Sequence, residues 1–161
     1  MNDIAAAPLT SWRGSVQHEW VDFNGHLRDA FYMLIFSFAS DGFLDQVGLD
    51  EPGRAATGHS TFTLECHINY LLEVKEGAAV EVRTQVLGHD AKRLHIFHSL
   101  HLDGTEPLLA GSEQIWLNMD MNVRRSAPYA ASVLPRVQAI AAQHKNQPVP
   151  KYVGRVIGLP G

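Results

Sequence analysis

The feature that most constrains the fold is a helix-length run, residues 29–47, whose apolar side chains lie on more than one side. On a 3.6-residue period one stripe holds Phe31, Ile35 and Phe38, and another holds Tyr32, Phe36, Ala39, Phe43 and Val47. Asp29 is suited to cap this helix and Gly48 to end it, about 18 residues or ~27 Å later. A helix that is apolar nearly all round must be buried, so other elements have to cover it.

The covering elements are predicted to be strands. Alternation is clearest over residues 61–70, where one face, predicted to be the core face, carries Phe62, Leu64, Cys66, Ile68 and Tyr70. The other predicted strands are residues 14–21, 79–88, 92–102 and 107–121.

The segments outside the strands and the central helix are predicted to form a loop, a second helix and a C-terminal arm. Residues 49–58 are rich in turn formers and are predicted to be a short loop. A second, alanine-rich helix is predicted at Ser132–His144 with Ser132 as its cap, and the chain from Asn146 is predicted to lie over the surface as an extended arm.

These elements favour one architecture, an antiparallel sheet of about five strands around one apolar helix, because the sheet face and the helix must bury each other. The expected class is α+β. The chain has 161 residues and 45% hydrophobic content, which suits a single domain over 1–161, with a core at about 14–125 and a C-terminal helix and tail at 126–161.

Charge and cysteine content limit the expected partners and compartment. The formal net charge is −4, so no basic patch is expected for nucleic acid or an anionic membrane. Cys66 is the single cysteine, the first residues lack the pattern of a secretory signal, and no apolar run reaches the roughly 18 residues that span a bilayer. We therefore expect a cytoplasmic protein that binds a small molecule.

The segment "WVDFNGHLRDAFYMLIFSFASDGFLDQVGL" resembles the Asp-x-x-Gly-His loop and central helix of hotdog-fold acyl-CoA thioesterases of the 4-hydroxybenzoyl-CoA thioesterase type. The resemblance covers roughly residues 14–125 and implies a hotdog fold. Many relatives continue the motif as Gly-His-Val-Asn-Asn, whereas this chain has "GHLRDA", so no role is carried over from those asparagines.

A narrower resemblance lies in "GHSTFTLECHINYL" and "TQVLGHDAKRLHIFHSLH", which are similar to the betainyl-CoA thioesterases of bacterial carnitine breakdown. It implies hydrolysis of betainyl-CoA to glycine betaine and coenzyme A. The alternatives are a general short-chain acyl-CoA thioesterase, a hotdog hydratase or dehydratase, and a non-catalytic acyl-CoA-binding module.

The candidate catalytic residues are Asp22, Asn24 and His26. The resemblance implies that Asp22 attacks the thioester carbonyl or activates water, while free N–H groups at the helix start, near residues 29–31, polarise the carbonyl. Gly25 would let the backbone approach a ligand closely. The alternative is that Asp22 and Asn24 only form an Asx turn and that His26 only anchors the loop.

The candidate substrate-binding residues are mostly aromatic, because a quaternary ammonium group binds well to aromatic faces. They are Trp20, Phe23, Tyr32 and Phe36, with His59 and Glu65 as weaker candidates. Lys92 and Arg93 are the candidates for the phosphates of CoA, and Arg124 and Arg125 are a second pair; a solvated turn is the alternative for either pair.

No metal site is expected. On a strand His95 and His101 share one face and His98 points to the other, with no carboxylate or cysteine to complete a set of ligands. No cofactor is expected either, because coenzyme A is part of the substrate. Exposed sheet edges predict a homodimer or homotetramer.

Overall fold

The structure is a computed structural model that describes residues 7–161. In chain order its elements are β1 (Leu9–Ser15), a 3-10 turn (His18–Trp20), α1 (Asp29–Gln46), α2 (Glu51–Thr57), β2 (His59–Tyr70), β3 (Ala79–His89), β4 (Arg93–Leu102), β5 (Ala110–Asp120), β6 (Arg125–Ser126) and α3 (Leu134–His144). Within this part of the chain, no helix has both the length and the apolar character needed to cross a membrane.

The strands form one antiparallel sheet in the order β1-β3-β4-β5-β2, and the short β6 pairs with the end of β5. The buried side chains of α1 pack against β3, β4 and β5 in two clusters, one around Phe36 and Leu100 and the other around Phe43 and Trp116. The second cluster also includes Val137 of α3. The predicted α+β fold, a sheet around a long central helix, is therefore confirmed.

Several boundaries differ from the prediction. The first strand is Leu9–Ser15 rather than residues 14–21, because the chain leaves the sheet after Val16 and makes the 3-10 turn. The predicted loop at 49–58 contains α2, which begins where Asp50 Oδ1 accepts a hydrogen bond from the Gly53 N–H (2.9 Å). The caps shift by one residue: Arg28 rather than Asp29 precedes α1, and Val133 rather than Ser132 precedes α3.

The predicted core face of β2 is correct only in part. A β-bulge between Thr63 and Glu65 shifts the register of β2 against β5. After the bulge, Cys66 and Ile68 lie opposite buried residues of β5 and face the core as predicted. Before the bulge the two faces are exchanged, so that Phe62 lies on the outer face and is 44% exposed.

A chain of hydrogen bonds crosses the buried interior between α1 and the sheet. Ser40 Oγ donates to the Phe36 carbonyl (3.0 Å) and so accepts from His98 Nε2 (3.1 Å). His98 Nδ1 then accepts from Thr84 Oγ1 (2.8 Å), which also forms a hydrogen bond with Ser11 Oγ (2.7 Å). Burial lowers the pKa of His98 to about 3, so this histidine is neutral in the folded protein.

Candidate active site

The Asp22–His26 segment is a tight loop between the 3-10 turn and α1. Asp22 Oδ1 accepts hydrogen bonds from the N–H groups of Asn24 (2.9 Å) and His26 (3.1 Å), and the Gly25 N–H donates to the Asp22 carbonyl (2.9 Å). Gly25 has φ +74°, a left-handed conformation that favours glycine. The Asx turn considered from the sequence is therefore present, and it fixes the Asp22 carboxylate in place.

One oxygen of the Asp22 carboxylate, Oδ2, remains available to react with a substrate or a water molecule. Hydrogen bonds from the His26 and Asn24 amides outweigh the partial burial of the group and hold the pKa of Asp22 below its ordinary value. Both amides bind Oδ1, and within residues 7–161 no hydrogen bond to Oδ2 is formed. A charged, half-exposed carboxylate with a free oxygen is suited to act as a nucleophile or a base.

The His26 side chain lies beside Glu73. Its Nε2 lies 3.3 Å from Glu73 Oε2, in the connection between β2 and β3. The backbone strengthens the same link, because Leu27 N–H donates to the Val74 carbonyl (2.8 Å) and Glu76 N–H to the Gly25 carbonyl (3.0 Å). His26 thus anchors the loop to this connection, which matches the alternative role considered from the sequence.

The start of α1 offers fewer free N–H groups than expected. The Ala30 N–H donates to Asp29 Oδ1 (2.9 Å) and the Phe31 N–H to the Arg28 carbonyl (3.0 Å). Of the three amides expected to be available, only that of Asp29 makes no hydrogen bond to the described residues. This N–H and the helix dipole remain to polarise a bound carbonyl.

The four aromatic residues expected to bind a cation do not converge. Phe36 is fully buried and stacks on His98 with ring centroids 5.8 Å apart, so it lies in the core of this structure and not on an open binding surface. Phe23 is 94% exposed at the tip of the loop. Trp20 stacks on Phe31 (6.2 Å), which belongs to a different stripe of α1 from Tyr32 and Phe36. Trp20 therefore packs on a different stripe of α1 from the one that carries Tyr32 and Phe36.

A cavity of about 410 Å³ opens on the outer face of the sheet around Glu65 and Glu113, and a second of about 560 Å³ continues from Glu65 towards Arg93.

His59 lies at the far end of β2 from the loop, where its Nδ1 accepts a hydrogen bond from Asn118 Nδ2 (3.0 Å). Because β2 has 12 residues at about 3.3 Å each, its two ends are roughly 35 Å apart. Within one chain, His59 is thus remote from Asp22.

The basic candidates for CoA lie at turns distant from the loop in sequence. Arg93 is paired with Asp90 through its Nη2 (2.6 Å), and this arginine and the Lys92 amide lower the pKa of Asp90 to about 2. The Lys92 side chain is exposed. Arg124, in the turn between β5 and β6, and Arg125, the first residue of β6, are both exposed.

Beside the loop lies a cavity of about 330 Å³ that combines aromatic and acidic side chains. It is lined by Leu27, Asp29, Tyr32, Tyr70, Leu71, Leu72 and Glu73. Of these, Tyr32 alone was a predicted site residue. From the sequence, Tyr70 was predicted to be a core residue and Asp29 to be a helix cap. Tyr70 is the last residue of its strand, where a core-facing ring emerges at the sheet edge. This position is the signal that could have identified Tyr70 as a site residue.

Comparisons with known proteins agree with the geometry. Residues 16–139 match the family model described as the thioesterase-like superfamily. The chain is 59% identical over 152 residues to the betainyl-CoA thioesterase of Pseudomonas aeruginosa, with 94% of this chain and 96% of that protein covered.

Two solved structures share the whole fold. A putative thioesterase from Pseudomonas putida KT2440 has a TM-score of 0.83 at 46% identity, and a hypothetical Staphylococcus aureus protein in complex with CoA has a TM-score of 0.87 at 27% identity. Each comparison covers 97% of this chain and 99% of the other. The hotdog fold and both resemblances seen in the sequence are confirmed, and the chain belongs to the thioesterase-like superfamily.

Proposed function

We propose that the protein hydrolyses acyl-CoA thioesters and that its substrate is betainyl-CoA, which water converts to glycine betaine and free CoA. The observation that carries the proposal is the Asp22 carboxylate, whose Oδ1 is held by two backbone amides while Oδ2 is free of protein hydrogen bonds in the described chain. The similarity to the Pseudomonas aeruginosa betainyl-CoA thioesterase supports the choice of acyl group.

Two chemical routes use the free oxygen of Asp22. In one, Oδ2 attacks the thioester carbon, CoA leaves as the thiolate, and water hydrolyses the resulting mixed anhydride. In the other, Oδ2 accepts a proton from the water that attacks the thioester carbon. In both, the Asp29 N–H and the α1 dipole favour the negative charge that develops on the carbonyl oxygen. One water is consumed, and an acid and a thiol are produced.

The position of His26 favours hydrolysis over the hydratase alternative. A hydratase needs a paired Asp and His to move protons on the acyl chain, whereas the His26 imidazole is paired with Glu73 (3.3 Å) and makes no side-chain hydrogen bond to Asp22 among the described residues; the hydrogen bond that Asp22 accepts from His26 comes from its backbone N–H. The proposal also places the activity in the cytoplasm, where a free thiol such as that of Cys66 is stable.

A panel of acyl-CoAs with a thiol reagent tests the function. We expect catalytic release of free CoA, well above the single thiol that Cys66 adds per chain. A change in the mass of the acyl-CoA without thiol release would indicate a hydratase, and no change would indicate a binding module. Release that is equal for betainyl-CoA and neutral short acyl-CoAs would indicate a general short-chain thioesterase.

We also propose that the active form is a homodimer, or a tetramer built from such dimers, in which two β2 strands pair. In the described chain β2 has a neighbour, β5, on one side only, and its outer residues Phe62 and Leu64 are 44% and 52% exposed. Such an edge is suited to pairing with a second copy. Antiparallel pairing about a twofold axis would bring the partner's His59 near the Tyr70 end of β2, so that contacts to CoA come from both subunits.

The assembly is tested by Leu64→Lys, which places a charge on this edge. We expect light scattering to show a shift from dimer to monomer and the hydrolysis rate to fall at least tenfold, because each site lacks the partner's side chains. Leu102→Lys is the matched control, since Leu102 is 41% exposed at the end of β4, away from this edge. A wild-type protein that is monomeric and fully active would contradict the proposal.

A further inference from the structure

The cavity beside the loop contains two tyrosine rings that contact each other edge to face. The centroids of Tyr32 and Tyr70 are 5.1 Å apart at an interplanar angle of 89°. Tyr32 Oη donates to the Leu72 carbonyl (3.2 Å) and Tyr70 Oη to the Asp29 carbonyl (3.4 Å), which fixes both rings. Tyr70 is 50% exposed, so part of its ring is open to a ligand.

The same cavity is negatively charged. Its lining includes the carboxylates of Asp29 and Glu73 and has no lysine or arginine among the described residues. Burial raises the pKa values of Tyr32 and Tyr70, with smaller contributions that include Glu73 for Tyr32 and Asp29 for Tyr70, so both phenols stay protonated. Aromatic rings beside carboxylates attract a cation that has no hydrogen to donate.

We propose that this cavity is the subsite for the quaternary ammonium group of the substrate, and that Tyr70 and Glu73 determine the preference for it. The inference rests on the proposed function. The volume, about 330 Å³, is at the lower end for ligand pockets and suits a short acyl group. The Asp22 N–H donates to the His26 carbonyl (2.9 Å), and Leu27, the next residue, lines the cavity, so the subsite lies beside the loop that carries Asp22. The proposal needs this proximity, because a single methylene separates the ammonium from the thioester carbon.

The test compares kcat/KM for betainyl-CoA with that for 3,3-dimethylbutyryl-CoA, which keeps the shape and lacks the charge. We expect the wild type to prefer betainyl-CoA at least tenfold. Tyr70→Leu removes the open ring and Glu73→Gln removes a charge, so each should reduce this preference at least threefold, because kcat/KM for betainyl-CoA should fall more than kcat/KM for the neutral substrate.

Two variants serve as controls. Tyr70→Phe keeps the ring and should keep the preference. Glu76→Gln removes an exposed carboxylate in the same connection, one that pairs with His18 (3.1 Å) outside the cavity, and should also keep it.

The outcomes separate this inference from the function on which it rests. Equal kcat/KM values for the two substrates in the wild type, or an unchanged preference in both Tyr70→Leu and Glu73→Gln, would overturn the subsite and leave the hydrolase intact. A fall in both substrates together would show that Tyr70 and Glu73 only support the loop, which also overturns it. If neither substrate releases CoA, the proposed function fails, and the subsite fails with it.

Discussion

Asp22→Asn should reduce thioester hydrolysis by about 10³-fold or more, within the range that a lost catalytic acid or base produces. Asparagine keeps an Oδ1 that can accept the Asn24 and His26 N–H groups, so the loop should persist and only the negative charge is removed. The effect should appear in kcat rather than KM, because the substrate-binding surfaces are unchanged.

A matched substitution on the central helix separates this effect from a general change in charge. Asp41→Asn removes an exposed carboxylate of α1, at the opposite end of the helix from the loop, and should leave hydrolysis near the wild-type rate. Near-normal turnover in a folded Asp22→Asn protein would remove Asp22 from the mechanism.

The second large effect concerns stability at acid pH. The pKa of His98 is about 3 in the folded protein and near 6.5 when unfolded, so only the unfolded chain takes up a proton between these values. The contribution of neutral His98 is complete above pH 6.5 and is lost as the pH falls towards 3. Urea unfolding should therefore show a free energy of unfolding about 2 kcal/mol lower at pH 5.0 than at pH 7.5 from His98 alone.

His98→Gln tests the origin of this pH dependence. The variant should be destabilised by about 2–4 kcal/mol at pH 7.5, because it loses the contacts with Phe36 and Trp116 and disturbs the hydrogen bonds to Thr84 and Ser40. The difference between the two pH values should shrink by about 2 kcal/mol. His89→Gln, at an exposed position, should retain the wild-type difference. An unchanged difference in His98→Gln would contradict this account.

The central helix and the positions of the strands along the chain could be predicted because both depend on local patterns. The two apolar stripes of residues 29–47 required burial, and the strand alternation required a sheet to cover them. The bulge in β2 could not be predicted in this way, because Leu64 continues the alternation of its neighbours and is displaced only by pairing with β5.

The site was predicted in part for a similar reason. The loop motif made Asp22 the candidate, since the residues of the motif are adjacent in sequence. The cavity joins the start of α1 to Tyr70 and Glu73, and only the tertiary fold brings these segments together. The aromatic residues chosen from the sequence were near one another along the chain, but a helix turns neighbouring side chains to different sides, so Phe36 entered the core.

The most direct test of the account is to identify the products that the purified protein forms from betainyl-CoA. Mass spectrometry and thiol titration together should show glycine betaine and free CoA in equal amounts, in many turnovers per chain with the wild type and with negligible turnover for Asp22→Asn. A thioester that stays intact, or one whose acyl group changes while it remains attached to CoA, would contradict the assignment of this chain as a betainyl-CoA hydrolase.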